Sequence, residues 1–211
     1  MNYEDFIRAL IFKIKRLYSI EFDREAILIG VRGITVENGT VFLNSDSRNK
    51  YNDRLFKIEV GANSWGSWRV TMDPGFVPKA DEAEFLNPNG LARIEPGLYR
   101  YKLGIHRGHL ALIQAAQVIV RRDKNKDGIW DQKDPLDKGC FGVDIHASSE
   151  KKEDVNLSSV ACTTFWSSWT DPEWLSFIEP LQVEATTKSA NWLGWPYIVF
   201  NQETAKEIIG G

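Results

Sequence analysis

Pro96-Gly97-Leu98-Tyr99-Arg100-Tyr101-Lys102-Leu103-Gly104-Ile105-His106 opens on a turn pair and continues as an alternating apolar and polar run. That texture predicts a strand over Leu98–Ile105. It recurs on both sides, in Ala26–Val31, Leu55–Val60, Trp68–Met72, Val118–Val120, Phe141–His146 and Tyr197–Phe200. Turn signals separate the runs: Asn38-Gly39, Asp73-Pro74-Gly75, Asn87-Pro88-Asn89-Gly90, Asp127-Gly128 and Lys138-Gly139. Short strands at this spacing, without regularly alternating long helices, predict a mainly β domain, a β-sandwich or barrel.

Two helices flank the pattern. Residues 3 to 20 place Phe6, Leu10, Ile14 and Leu17 on one face, with Arg8, Lys13, Lys15 and Arg16 elsewhere. This amphipathic helix is expected to dock on the body as an appendage spanning 1–25, with one domain over 26–211. A second, short helix is expected after Thr170-Asp171-Pro172-Glu173, which supplies an N-cap and a first-turn proline ahead of Trp174, Leu175, Phe177 and Ile178.

The chain has 211 residues and a net charge of -3, and it lacks a basic block, which argues against a nucleic-acid partner. No apolar run is long enough to span a bilayer, and the acidic start Met1-Asn2-Tyr3-Glu4-Asp5 reads as no export signal. Two cysteines, Cys140 and Cys162, make no disulfide framework and no CxxC pair, so each is judged alone.

Cys162 has the richer context. The strand ending in His146 is followed by a polar loop and then by Ser159-Val160-Ala161-Cys162, the cysteine standing 16 residues after the histidine. A strand, a loop and a return strand can bring the two together, and a thiol needs a basic neighbour to become a nucleophile near neutral pH. The N–H groups of Ala161 and Cys162 are candidates for stabilising an oxyanion. Cys140, in Lys138-Gly139-Cys140, has no such company and reads as structural.

These segments resemble the L,D-transpeptidase catalytic domain (YkuD-type), which pairs a strand-end histidine with a later Ser/Thr-His-Gly-Cys signature. Ser159 and Cys162 match the signature, whereas Val160 and Ala161 replace its histidine and glycine. The Pro96–Tyr101 run is similar to a strand entry upstream in that domain, so the resemblance spans roughly residues 90 to 180. It implies a β-sandwich catalytic fold and a thiol peptidase or transpeptidase acting on peptidoglycan stem peptides. Cys162 would then be nucleophile and His146 base, oriented by the carbonyl of Ala147, with Ser159 and Ala161 in support and no cofactor required. Without an export signal, the route to the cell wall or periplasm would be that of a phage lysis protein (an endolysin) or a delivered antibacterial effector, where hydrolysis is favoured over cross-linking.

Other residues keep alternatives open. His106 and His109 stand three apart at the end of the Leu98–Ile105 strand; His106 is a candidate substrate contact, and His106, His109 and His146 together are a candidate zinc-peptidase set, with Asp144 or Cys162 as a further ligand. Asp123, Asn125, Asp127, Asp131 and Asp134 follow the oxygen-ligand spacing of a calcium loop, with Gly128 at its sixth position, although an Asp-Gly hairpin turn accounts for the same residues. Five of eight tryptophans, Trp166, Trp169, Trp174, Trp192 and Trp195, lie in the last 46 residues. They suit either a core or an aromatic groove, with Trp166 the candidate substrate contact, and a glycan or cell-wall binding module without chemistry is the rival reading.

Overall fold

A computed structural model of the chain describes residues 1–20, 25–59, 64–78 and 87–210. Its strands are β1 (Ile27–Val31), β2 (Ile34–Glu37), β3 (Thr40–Leu43), β4 (Asp53–Glu59), β5 (Ser64–Thr71), β6 (Ala92–Ile94), β7 (Gly97–His106), β8 (His109–Gln114), β9 (Val118–Arg122), β10 (Leu136–Gly139), β11 (Ile145–Ser148), β12 (Thr163–Ser168) and β13 (Trp195–Phe200). The helices are α1 (Tyr3–Leu17), α2 (Pro172–Ala185) and α3 (Gln202–Gly210). The chain is therefore mainly β.

Eight strands close into a barrel in the order β1-β13-β7-β8-β11-β12-β5-β4. This differs from the expected sandwich because β1 has two partners: it pairs parallel with β13 and antiparallel with β4, so the sheet's two ends meet and no edge remains. Beside the barrel stand a three-stranded sheet, β10-β9-β6, and the β2-β3 hairpin.

β1 shows why the barrel has two cores. Its sequence, Ile27-Leu28-Ile29-Gly30-Val31, is buried throughout. Leu28 joins Leu55, Tyr101, Phe165, Trp195 and Tyr197, whereas Ile27, Ile29 and Val31 meet the α1 side chains on the opposite face. A strand covered on both faces reads as a continuous apolar run. Gly30 is required by packing: a Cβ there would stand 2.3 Å from Met72 Sδ and 2.6 Å from the Tyr197 hydroxyl.

Asn2 caps α1, its side chain accepting the Asp5 N–H. Phe6, Ile7, Leu10 and Ile14 are buried against β1, β4 and β13, so the N-terminal helix forms one wall of the second core. Leu17, expected on that face, is exposed at the helix end, where Tyr18 turns extended. α2 begins after Asp171 and buries Trp174, Phe177, Ile178 and Leu181. Phe165, Trp174 and Phe177 pack there ring against ring.

Candidate functional site

The chain returns from His146 to Cys162 as a parallel strand. β11 and β12 pair with Ile145 opposite Thr163 and His146 opposite Thr164, and the Thr163 N–H donates to the Asp144 carbonyl at 2.9 Å. Cys162 therefore lies beside Asp144, two positions short of His146 along the ladder. The strand predicted over Phe141–His146 begins only at Ile145. Before it, the N–H groups of Phe141 and Val143 donate to the Gln114 side-chain oxygen at 3.0 and 2.7 Å instead of to a neighbouring strand.

The thiol's partners are backbone groups. Cys162 Sγ accepts the Asp144 N–H at 3.4 Å and donates to the Gly142 carbonyl at 3.4 Å, and the residue is 6% exposed. Burial pushes the thiol up to about 12, with the Asp144 carboxylate adding and its N–H opposing. The expected Cys162–His146 contact is absent: among the described residues no hydrogen bond joins them. The reason is register, since His146 faces Thr164, whose Oγ1 is 3.3 Å from His146 Nε2.

His146 is 5% exposed and tightly oriented. Its Nδ1 donates to the Ala147 carbonyl at 2.6 Å, which fixes the tautomer and leaves the lone pair on Nε2. Burial, followed by repulsion from His106, pulls its pKa down to about 4. At neutral pH both the thiol and the imidazole are thus uncharged.

Around His146 the rings form a stack. His106 lies 4.2 Å away at 10°, and Trp169 lies 5.8 Å away at 18° and stacks in turn on His109 at 4.4 Å. Trp169 meets Trp174 of α2 edge-on, which ties the stack to the core. His106 donates from Nδ1 to Asp144 Oδ2 at 2.8 Å, and the other Asp144 oxygen accepts the Gln114 N–H at 3.2 Å. One residue, Asp144, thus serves the thiol through its backbone and His106 through its carboxylate. Stacked imidazoles carry their lone pairs in parallel planes, so His106, His109 and His146 do not converge on one point. Among the described residues no three His, Cys, Asp or Glu side chains form a metal-holding group, for zinc or otherwise.

A cleft of about 630 Å³ opens over this stack, lined by His106, Arg107, His109, His146, Ala147, Lys152 and Trp169, with Ser148, Ser149, Pro78 and residues 155–158 opposite. Cys162 does not line it. Trp166, the expected substrate contact, lies elsewhere: it borders a second cleft of about 560 Å³ with Tyr51, Arg54 and Arg69, and its ring carries the Arg69 and Lys151 cations at 4.1 and 4.2 Å. Trp169 takes the place expected of Trp166. Trp174 and Trp195 are core, and Trp192 packs edge-on against Trp195.

Ser159 is buried and donates to the Cys162 carbonyl at 2.8 Å, closing the turn that presents the cysteine. Among the described residues the N–H groups of Ala161 and Cys162 make no hydrogen bond, and Cys162 is buried outside the cleft lining. Asn49 is a residue the sequence reading missed. Its side chain accepts the N–H groups of Asn156 at 2.7 Å and Phe76 at 3.0 Å, and donates to Asn156 Oδ1 at 3.2 Å, pinning the loop that leads to Cys162. The Asp123–Asp134 loop is apart from all this, between β9 and β10.

No family model fits the chain, and neither a curated protein nor a solved structure is similar to it.

Proposed function

We propose that the protein is a cysteine-dependent L,D-peptidase or L,D-transpeptidase of peptidoglycan stem peptides, acting through a thioacyl-enzyme on Cys162 with hydrolysis favoured. The observation that supports the reading is the meeting of the two segments at Asp144, whose N–H donates to the buried Cys162 thiol and whose carboxylate accepts from His106, the ring stacked on His146. Arg107 and Lys152 line the cleft and suit the carboxylates of a stem peptide.

The chemistry follows from the protonation states. Burial holds the thiol up near 12 and the imidazole down near 4, so in the free protein both groups stay neutral around pH 7. A standing thiolate–imidazolium pair is therefore not the nucleophile. Instead, Cys162 turns away from the Gly142 carbonyl as the peptide enters, and Nε2 of His146 takes the thiol proton as sulfur bonds to the carbonyl carbon. The oxygen gains negative charge facing the N–H groups of Ala161 and Cys162. The carbon–nitrogen bond then breaks, the imidazolium returns its proton to the leaving amine, and a thioester remains. Attack by water yields an acid and restores the thiol; attack by another stem's amine yields a cross-link.

The test is intact-mass spectrometry of the protein quenched in acid during incubation with a synthetic stem tetrapeptide. The expected result is an acyl increment that is present in Cys140→Ala and absent in Cys162→Ala. A second reading, a non-catalytic cell-wall or glycan binding module, is favoured by one observation: the thiol stands outside the cleft lining. Saturable binding of the peptide with no adduct and no product in the wild type would overturn the enzyme in favour of that module.

A further inference from the structure

The loop joining β9 to β10 has a feature that a plain hairpin turn does not need. Asp123 is 4% exposed, and its Oδ1 has no hydrogen-bond partner. The other oxygen, Oδ2, accepts the Gly128 N–H across the loop at 3.0 Å, so the carboxyl group faces the loop's own ring. An acceptor sealed from water without a donor is unfavourable unless something else occupies its lone pairs. Arg48 feels the Asp123 charge but does not bond to it; its guanidinium packs on the Phe76 and Trp130 rings and donates to the Gly75 carbonyl.

Oxygen atoms follow at fixed intervals from that orphan: Asn125 and Asp127 at the third and fifth positions, the Ile129 carbonyl at the seventh, Asp131 at the ninth and Asp134 at the twelfth. The backbone is shaped for the set, with Lys126 at φ +59° and Gly128 at φ +81° curling the chain around it. Asp127 N–H donates to Asn125 Oδ1 at 3.2 Å and Ile129 N–H to Asp127 Oδ1 at 2.8 Å, which turns both side chains along the loop. Arg121 donates to the carbonyls of Asp131 and Asp134, holding the far end.

We infer that residues 123–134 form a calcium site centred on Asp123 Oδ1. Its ligands are hard oxygens from both side chains and backbone, a set that suits calcium and no softer metal. The carboxylates do not stand as a ready-made group of three: Asp134 accepts the Lys124 and Asp131 N–H groups at 3.1 and 3.3 Å and Asp127 accepts the Asn125 amide at 2.7 Å, so binding an ion exchanges these hydrogen bonds for metal contacts. Asp134 at the twelfth position is shorter than the bidentate Glu of the tightest loops, which places the site among the weaker ones, with a Kd on the order of 10⁻⁶–10⁻³ M. Its role is to lock the β9–β10 hairpin, whose second strand feeds the Cys140–Asp144 segment. This inference stands independently of the peptidase reading.

Trp130, at the loop's eighth position, supplies the probe. The full chain, stripped with chelator, is titrated with terbium under tryptophan excitation and with calcium by calorimetry. The expected result is one saturable terbium site per chain that calcium displaces, a calcium-dependent rise in Tm, and an affinity lowered by about tenfold or more in both Asp123→Asn and Asp127→Asn. Trp130→Phe should dim the terbium signal while keeping calcium binding in the calorimeter. Asp127 is exposed, so its variant decides the matter if Asp123→Asn does not fold. No calcium binding at about 1 mM, terbium that calcium fails to displace, or an unchanged affinity in Asp127→Asn would overturn the site.

Discussion

Lowering the pH should destabilise this protein through one side chain, His146. The unfolded chain takes up a proton on this histidine near 6.5, whereas the folded protein resists until about 4, because burial and the neighbouring His106 disfavour the cation. Between these values the unfolded state binds more protons, so the His146 contribution falls as pH falls from about 6.5 to about 4. At about 1.4 kcal/mol per pH unit the full loss is about 3 kcal/mol, of which about 2 kcal/mol develops between pH 7 and pH 4.5. Around the ring, Asp144 favours the cation and Arg107 opposes it. Asp53 works in the other direction over the same range. Burial, with Asp73 and Asp46 beside it, raises its pKa to about 8, so the folded state holds the extra proton and gains stability as pH falls. The wild-type curve alone therefore mixes opposing signs, and the quantity to read is the difference between wild type and His146→Gln. Urea denaturation of both at pH 7 and 4.5 should show the wild type losing about 2 kcal/mol more than the variant. Parallel curves would refute the burial argument and with it the neutral His146.

Two further predictions test other parts of the site. In the substrate-free protein iodoacetamide should alkylate exposed Cys140 much faster than Cys162, whose thiol burial both shields and holds protonated up to about 12, and the two rates should converge in urea. Equal rates in the folded state would show that Cys162 is not held as described. Asn49→Ala should lower stability by about 2–4 kcal/mol, because two backbone N–H groups lose their acceptor, and a change under about 0.5 kcal/mol by urea denaturation would remove Asn49 from its pinning role.

Much of the barrel was legible in local pattern. The Ile27–Val31 run, the Leu98–Ile105 alternation and the Phe6–Ile14 face each depend on a period that side-chain burial dictates. Closure was not legible, because it rests on β1 meeting β13 across most of the chain, and nothing local records which strands become neighbours. The candidate site divides the same way. The spacing of His146 and Cys162 announced two segments that meet, but the register that sets Thr164 opposite His146 and Asp144 beside Cys162 is a property of the ladder. Trp166 and Trp169 had equal claims on composition; only the course of β12 puts one on the Arg69 side and the other on the His109 ring. Asn49 sat in a polar run with no pattern to mark it, and its φ of +65° is visible only in the fold.

The central claim is that Cys162 performs chemistry on stem peptides. Its most direct test is mass spectrometry of purified muropeptides incubated with wild type, His146→Gln and Cys162→Ala. The account predicts loss of a terminal D-residue, cleavage of a cross-link or formation of a new one with the wild type, strongly reduced in His146→Gln and absent in Cys162→Ala. Identical muropeptide profiles for wild type and Cys162→Ala would contradict it.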